Sequence, residues 1–172
     1  QYVGENGKYT PLVKSAVLYV DKEELKEISI VDTPGLNDPI TSRTDKTKQF
    51  MELCDVVFFL SKATGFLDTG DVDLLTAQLP HKGVKRLVLI CSRFDDGLRD
   101  TMWSRDSLAQ AKEDTKKKLL AHADRILEEY KKTNYNANVA MIDQCKDVVF
   151  ISSTAHNMAN KPKNQYTEQE LK

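Results

Sequence analysis

Apolar and polar positions along the chain fall into two kinds of pattern. Segments 55–61 (DVVFFLS), 85–92 (KRLVLICS) and 147–152 (DVVFIS) are continuous apolar runs. Runs of this length, rich in β-branched residues, read as strands buried on both faces, and such strands belong to a parallel sheet covered by helices. Two further apolar segments, 15–20 and 27–32, flank the polar connection Asp21-Lys22-Glu23-Glu24-Leu25-Lys26 and read as the arms of an antiparallel hairpin at the sheet edge. Between these strands the apolar period lengthens to three or four residues. The pattern predicts a helix over 44–53 anchored by Phe50, Met51 and Leu53, and another over 70–79 with Asp71 and Asp73 in its first turn and a stop at Pro80. The longest helix is predicted over 104–132, where Leu108, Ala111, Thr115, Leu119, Ala123, Ile126, Leu127 and Tyr130 form one stripe. Its opposite face, with Lys112, Lys116, Lys117 and Glu128, reads as solvated. The tail after Met158 reads as a loop before the start of a further helix. The order β-β-α-β-α-β-α-β is that of a mostly parallel α/β sheet with one antiparallel edge hairpin.

Composition narrows the function classes. A chain of 172 residues that is 40% apolar and 30% charged can build a core and suits one domain. A formal net charge of -1 gives no electrostatic support for nucleic-acid binding, so no nucleic-acid partner is expected. Cys54, Cys91 and Cys145 lie far apart, and Cys54 and Cys91 sit in apolar runs, which suits buried reduced thiols in a cytoplasmic protein. No apolar run approaches the ~20 residues that cross a bilayer.

Candidate chemistry sits at strand ends. Ile28-Ser29-Ile30-Val31 leads into Asp32-Thr33-Pro34-Gly35, which reads as a strand delivering an aspartate and a glycine to nucleotide phosphates. Asp32 can hold a Mg²⁺ through water, and the Gly35 N–H can reach a γ-phosphate. Leu36 follows where a water-orienting glutamine stands in Ras-type proteins. Leucine cannot orient water, so hydrolysis would need another group to position the nucleophile. Thr10, just before the first predicted strand, is the candidate switch threonine for Mg²⁺ and the attacking water. Gly4-Glu5-Asn6-Gly7-Lys8-Tyr9-Thr10 does not satisfy G-x-x-x-x-G-K-[ST]: Tyr2 takes the place of the first Gly and Tyr9 that of the metal-binding hydroxyl. Residues 1–9 therefore read as a loop entering the first strand.

Ser92-Arg93-Phe94-Asp95 closes the run 85–92 and compares with the guanine reader [Asn/Thr]-Lys-x-Asp. The Asp95 carboxylate can accept from guanine N1–H and N2–H₂, a donor pair that adenine lacks, while Arg93 can lie over the base. Asp96 is the adjacent alternative if the register slips. Ser152-Ser153-Thr154-Ala155 ends the last run, where a backbone N–H could meet guanine O6; His156 beside it reads as an ordinary loop histidine. Three ligand-facing segments at the C-terminal ends of successive strands match the place where open α/β sheets bind ligands.

Val31-Asp32-Thr33-Pro34-Gly35-Leu36-Asn37-Asp38, a helix, and then Cys54-Asp55-Val56-Val57-Phe58-Phe59-Leu60-Ser61 resemble the G domain of bacterial dynamin-like GTPases. The segment 63–79 shares the resemblance, which covers roughly 10–155. It implies a Ras-like P-loop GTPase fold, with the N-terminal strand and P-loop absent here, so that 10–172 reads as the C-terminal part of one G domain. It also implies binding of GTP and GDP with Mg²⁺, hydrolysis, self-association of G domains, and membrane work through parts outside this chain. In that reading Thr10 and Gly35 are the catalytic candidates, and Asp32 and Thr10 the metal ligands. Asp32, Gly35, Arg93, Asp95, Ser152 and Ser153 hold the nucleotide, and Asp96 to Asp100 form a loop crossing to a partner G domain. The protein is expected in the cytoplasm or peripheral at a membrane. Ser92-Arg93 in place of Asn/Thr-Lys leaves open a pseudo-GTPase or interaction module, and a septin- or immunity-type GTPase is a third reading.

Overall fold

A computed structural model describes residues 8, 16–32, 52–75, 84–133, 143, 145 and 147–162. The chain divides into two compact units, Gln1–Asp32 and Thr33–Lys172.

In the first unit the expected hairpin is not formed among the described residues. Residues 16–22 and 28–32 are extended without a strand partner, and one 3-10 turn, Glu23–Leu25, joins them. Local bonds take the connecting backbone groups: Leu25 N–H donates to Lys22 O at 3.0 Å, Lys26 N–H to Glu23 O at 3.1 Å, and Ile28 N–H to Leu25 O at 3.0 Å. Glu27 then reverses the chain with a φ of 62°. A two-residue hairpin turn needs positive φ at positions usually held by Gly or Asn, and this connection has neither. Val17, Leu18, Tyr19, Ile28 and Ile30 are left exposed.

The second unit holds the sheet. Strands β1 (Val56–Lys62), β2 (Arg86–Ser92) and β3 (Val148–Phe150) form a three-stranded sheet in the order β1-β2-β3. Both pairings are parallel, with Phe59 opposite Leu89 and Cys91 opposite Phe150. Helices α1 (Thr69–Asp73), α2 (Phe94–Met102), α3 (Leu108–Thr133) and α4 (Ser153–Asn160) complete the described elements. The α/β class and the parallel sheet are as the apolar runs predict.

One sheet face carries the core. Val57, Phe59, Leu87, Leu89, Cys91, Val148 and Phe150 meet Phe66, Leu67 and Val72 of the β1–α1 segment, Phe94 and Leu98 of α2, and Leu119, Ala123, Ile126, Leu127 and Tyr130 of α3. The stripe expected along the long helix is thus the face it buries. Its start lies later than expected, because Ser107 caps it: Gln110 N–H donates to Ser107 Oγ at 3.2 Å. Residues 103–107 form instead the turn after α2, pinned by an Arg105–Asp114 ion pair of 2.5 Å. Lys131 and Lys132 occupy the last helical turn, where cations favour the helix dipole. On the other sheet face Val56, Phe58, Leu60 and Val149 stay exposed among the described residues, although the apolar runs predict cover on both sides.

Three sequence expectations change. The segment after the base-reading motif is a helix, not a loop: α2 begins at Phe94 and contains Asp95, Asp96 and Asp100. The segment read as a loop at Ser152 to His156 is the start of α4, capped by Ser152, whose Oγ accepts from Ala155 N–H at 3.0 Å. Cys91 and Cys145 are buried, whereas Cys54 is half-buried. Desolvation pushes both buried thiols up to about 11, which makes them inert core residues. The helix predicted over 44–53 lies, apart from its last two residues, outside the described residues, as do 76–79 of the helix predicted over 70–79.

Gly97 sets the depth of α2. A Cβ at that position would stand 2.9 Å from Ala63 Cβ, on a backbone that cannot swing aside as a flexible side chain would. Gly97→Ala gains ~1 kcal/mol of helix propensity but overpacks a contact that costs ~1–3 kcal/mol, so a net loss of about 1 kcal/mol is expected. In an Ala63→Gly background the same substitution should stabilise. Urea denaturation of the four proteins checks both signs.

Candidate functional site

The C-terminal ends of the strands are tied together by three contacts. Ser92 Oγ at the end of β2 donates to Ser61 O of β1 at 3.1 Å. Ile151 N–H donates to Cys91 O at 2.9 Å, and Phe94 N–H donates back to Ile151 O at 3.0 Å. The Phe94 ring lies on Phe150, with centroids 5.1 Å apart. These bonds bring the segment after β2, with Arg93 and Asp95, beside the segment after β3, with Ser152 and Ser153. Four of the sequence-predicted residues thus share one end of one sheet.

Their individual states differ. Arg93 takes a left-handed backbone, φ 52° and ψ 43°, just before α2. A non-glycine residue there carries strain of ~1–2 kcal/mol, and such strain is characteristic of ligand sites. Its guanidinium pairs with Asp96 at 2.6 Å, and Arg99 adds a second contact to the same carboxylate at 3.5 Å. Asp96 is therefore neutralised within α2. Asp95, one residue earlier and half-buried, makes no hydrogen bond or ion pair among the described residues. Of the two adjacent aspartates, Asp95 is the one whose carboxylate is available to a ligand. The ion pairs also correct a second expectation. Arg99 is engaged inside its own helix and Asp96 to Asp100 are helical, so a flexible loop crossing to a partner is not what the segment forms.

Ser152 spends its hydroxyl on capping α4, which leaves its backbone and the exposed Ser153 as ligand-facing groups. His156 is an exposed residue of α4 whose carbonyl accepts from Asn160 Nδ2 at 2.9 Å, an ordinary helix-surface histidine. Asp32 belongs to the first unit, where it is exposed and follows an extended segment. Thr10 and Gly35 lie outside the described residues.

Sequence reasoning missed Ser61. This buried serine donates to Asp71 Oδ2 at 2.5 Å and accepts from Leu67 N–H at 2.9 Å. Leu67 has a φ of 50° and a fully buried side chain, so the serine satisfies the backbone of a strained residue that packing holds in place. Asp68 caps α1 through Asp71 N–H at 2.9 Å. The usable signal was a lone hydroxyl in the inward register of an otherwise apolar strand.

Comparison with known proteins adds the family. Residues 5–93, more than half of the chain, match the dynamin family. The chain belongs to the dynamin family. A relative, Dynamin-like protein 1 of Campylobacter jejuni, is 30% identical over 89 residues, which is 51% of this chain and 12% of that protein. The chain thus matches only a small part of that relative's length. No solved structure matches. As a dynamin-family chain, it carries sequence of the GTP-binding domain of a dynamin-like protein. The family match ends at Arg93, so it does not bear on Asp95, Asp96, Ser152 or Ser153.

Two substitutions test the Ser61 corner. Ser61→Ala leaves the buried Leu67 N–H unsatisfied and should cost ~1–3 kcal/mol in urea denaturation. Burial raises the Asp71 carboxyl above its ordinary value of 3.8, outweighing the opposing bond from Ser61. The folded chain then holds that proton to higher pH than the unfolded chain. Stability from this group therefore falls as pH rises from 3.8 through the folded value, and is flat above it. Asp71→Asn removes the effect, so thermal melts should show wild type losing ground to the variant across that window and a constant difference at higher pH.

Proposed function

We propose that this chain supplies the guanine-reading end of a GTPase domain whose protein hydrolyses GTP to GDP with Mg²⁺. In this reading residues 10–172 belong to one G domain, which works in the cytoplasm or peripherally at a membrane, self-associates, and couples hydrolysis to membrane remodelling elsewhere in the protein. The observation that carries the reading is the contrast between two neighbouring aspartates: Asp96 is paired with Arg93 and Arg99, while Asp95, at the C-terminal end of the sheet, has no hydrogen-bond or ion-pair partner among the described residues. A carboxylate with two open lone-pair directions matches the N1–H and N2–H₂ edge of guanine. The dynamin-family match supports the nucleotide class, and three free cysteines agree with a reducing compartment.

Mg²⁺ fits the donor chemistry of the proposed residues. The ion keeps several waters and uses one or two protein oxygens together with nucleotide phosphates. Asp32, an exposed carboxylate, offers one such oxygen, and Thr10 is the proposed second donor. Among the described residues no group of three or more His, Cys, Asp or Glu forms a metal cage, in keeping with a metal shared with phosphates. When bound, Mg²⁺ would neutralise charge on the transferring phosphoryl group. Gly35 would give its N–H to the γ-phosphate, and Leu36 leaves water positioning to another group, for which self-association is the proposed source.

A second reading, a pseudo-GTPase, has one observation in its favour. The Ser92 hydroxyl, where family readers carry Asn or Thr, is committed to Ser61 O and so to holding the sheet.

Nuclear magnetic resonance titration of the chain with GMP and XMP tests the base-reading claim without involving β- and γ-phosphates. Wild type should prefer GMP. Asp95→Asn exchanges a double acceptor for one donor and one acceptor, the pattern presented to xanthine N1–H and O2. Each charged hydrogen bond is worth ~1.5–3 kcal/mol, so GMP affinity should fall about tenfold or more and XMP should become the preferred ligand. An unchanged preference for GMP rejects Asp95 as the reader.

A further inference from the structure

The Arg93–Asp96–Arg99 trio is built in a way that base reading by Asp95 does not require. Asp96 is mostly buried, with a side-chain exposure of 15%, yet the two arginines that flank it are 66% and 77% exposed. A carboxylate at the third helical position would ordinarily face water and favour the helix dipole from there. Here it sits under two guanidinium groups, one from the residue before the helix and one from the next turn. Arg93 is moreover held at the strained φ of 52°, and Asp96 N–H donates to Arg93 O at 3.0 Å, so backbone and side chain of Arg93 are both tied to the same residue.

We infer that Asp96 is a positioning residue for nucleotide recognition: it fixes the Arg93 guanidinium as the platform on which the base read by Asp95 stacks. The inference rests on the guanine reading of Asp95 and goes beyond it by assigning its neighbour a distinct role. A free arginine loses ~2 kcal/mol of rotamer entropy when it is frozen against a ligand. An ion pair formed before binding removes much of that cost in advance. The pair engages one edge of the planar guanidinium, and the side chain's high exposure leaves its surface open to a base. Arg99 holds the other carboxylate oxygen, which keeps Asp96 from rotating away with Arg93. Phe94, bonded to Ile151 and packed with its ring tilted 60° against Phe150, anchors the backbone between the platform and the reader.

The test compares GMP and XMP affinities of the chain for wild type, Asp96→Asn, Asp96→Glu, Arg93→Ala, Asp95→Asn and the double variant Arg93→Ala/Asp96→Asn, with the Arg93 guanidinium ¹⁵N–¹H signals as a ligand-free readout. Asp96→Asn should weaken GMP and XMP alike, by about two- to fivefold, because the stacking contribution of an exposed arginine is modest and blind to base identity. The GMP-over-XMP preference should persist in that variant, and Asp96→Glu should restore affinity. In the Arg93→Ala background Asp96→Asn should have no further effect, and in the single variant the Arg93 guanidinium signals should collapse to the averaged position of a free side chain. A merely structural role for Asp96 predicts instead a loss that persists without Arg93. The inference is overturned if Asp96→Asn binds GMP like wild type, or if its effect adds to that of Arg93→Ala. The guanine reading alone fails if Asp95→Asn keeps its preference for GMP while the Arg93–Asp96 coupling holds. Absence of GMP binding by wild type overturns both.

Discussion

The ligand end of this sheet depends on Ser61. Its hydroxyl donates to Asp71 and accepts from Leu67, while its carbonyl receives the Ser92 hydroxyl. One residue therefore fixes the turn after β1, the start of α1 and the spacing between β1 and β2 at their last ladder pairs. Two positions on, Ala63 closes against Gly97 and sets how near α2 lies. The buried hydroxyl both donates and accepts, and leaving its partner Leu67 N–H unsatisfied would cost about as much as the contact provides.

From that corner outward the site is a problem of separating like charges. Asp95 and Asp96 are identical side chains on adjacent residues, and the helix that contains them gives them different fates. Asp96 stands three residues from each arginine and pairs with both. Asp95 is two residues from Arg93, on a different side of the helix, and although it is four residues from Arg99 no ion pair joins them among the described residues. The position of α2 close against the turn after β1 is the consequence of a glycine where a Cβ would collide with Ala63.

The dynamin-family match and the geometry bear on different halves of the chain. The match runs from residue 5 to residue 93 and covers the Asp32-to-Gly35 segment; the residues proposed to read the base lie beyond it and are joined by backbone bonds between the ends of β2 and β3. The family membership says what kind of ligand to expect, and the proposed base contact is argued from the paired and unpaired aspartates.

Much of this was legible along the chain. The continuous apolar runs announced parallel strands, although the cover they imply on both faces is found on one face among the described residues, and the stripe from Leu108 to Tyr130 announced the face that α3 buries. Those are local periodicities, set by the geometry of a single element. The Asp32-to-Gly35 and Ser92-to-Asp95 motifs were legible for the same reason, as residue types at fixed spacing. What no local pattern could decide was which hydrogen-bonding groups meet across distance in sequence. The apolar arms at 16–22 and 28–32 have strand-like composition, but a ladder needs a partner, and the connection between them satisfies its own backbone in a 3-10 turn. Ser61 looked like the end of a strand until packing placed Leu67 and Asp71 against it. Asp95 and Asp96 were interchangeable until a helix, seated against the turn after β1 through Gly97, gave Asp96 two arginines and left Asp95 without a partner among the described residues. Periodicity belongs to the chain, but pairing belongs to the fold, because a polar group's role is set by the partner that tertiary packing brings to it.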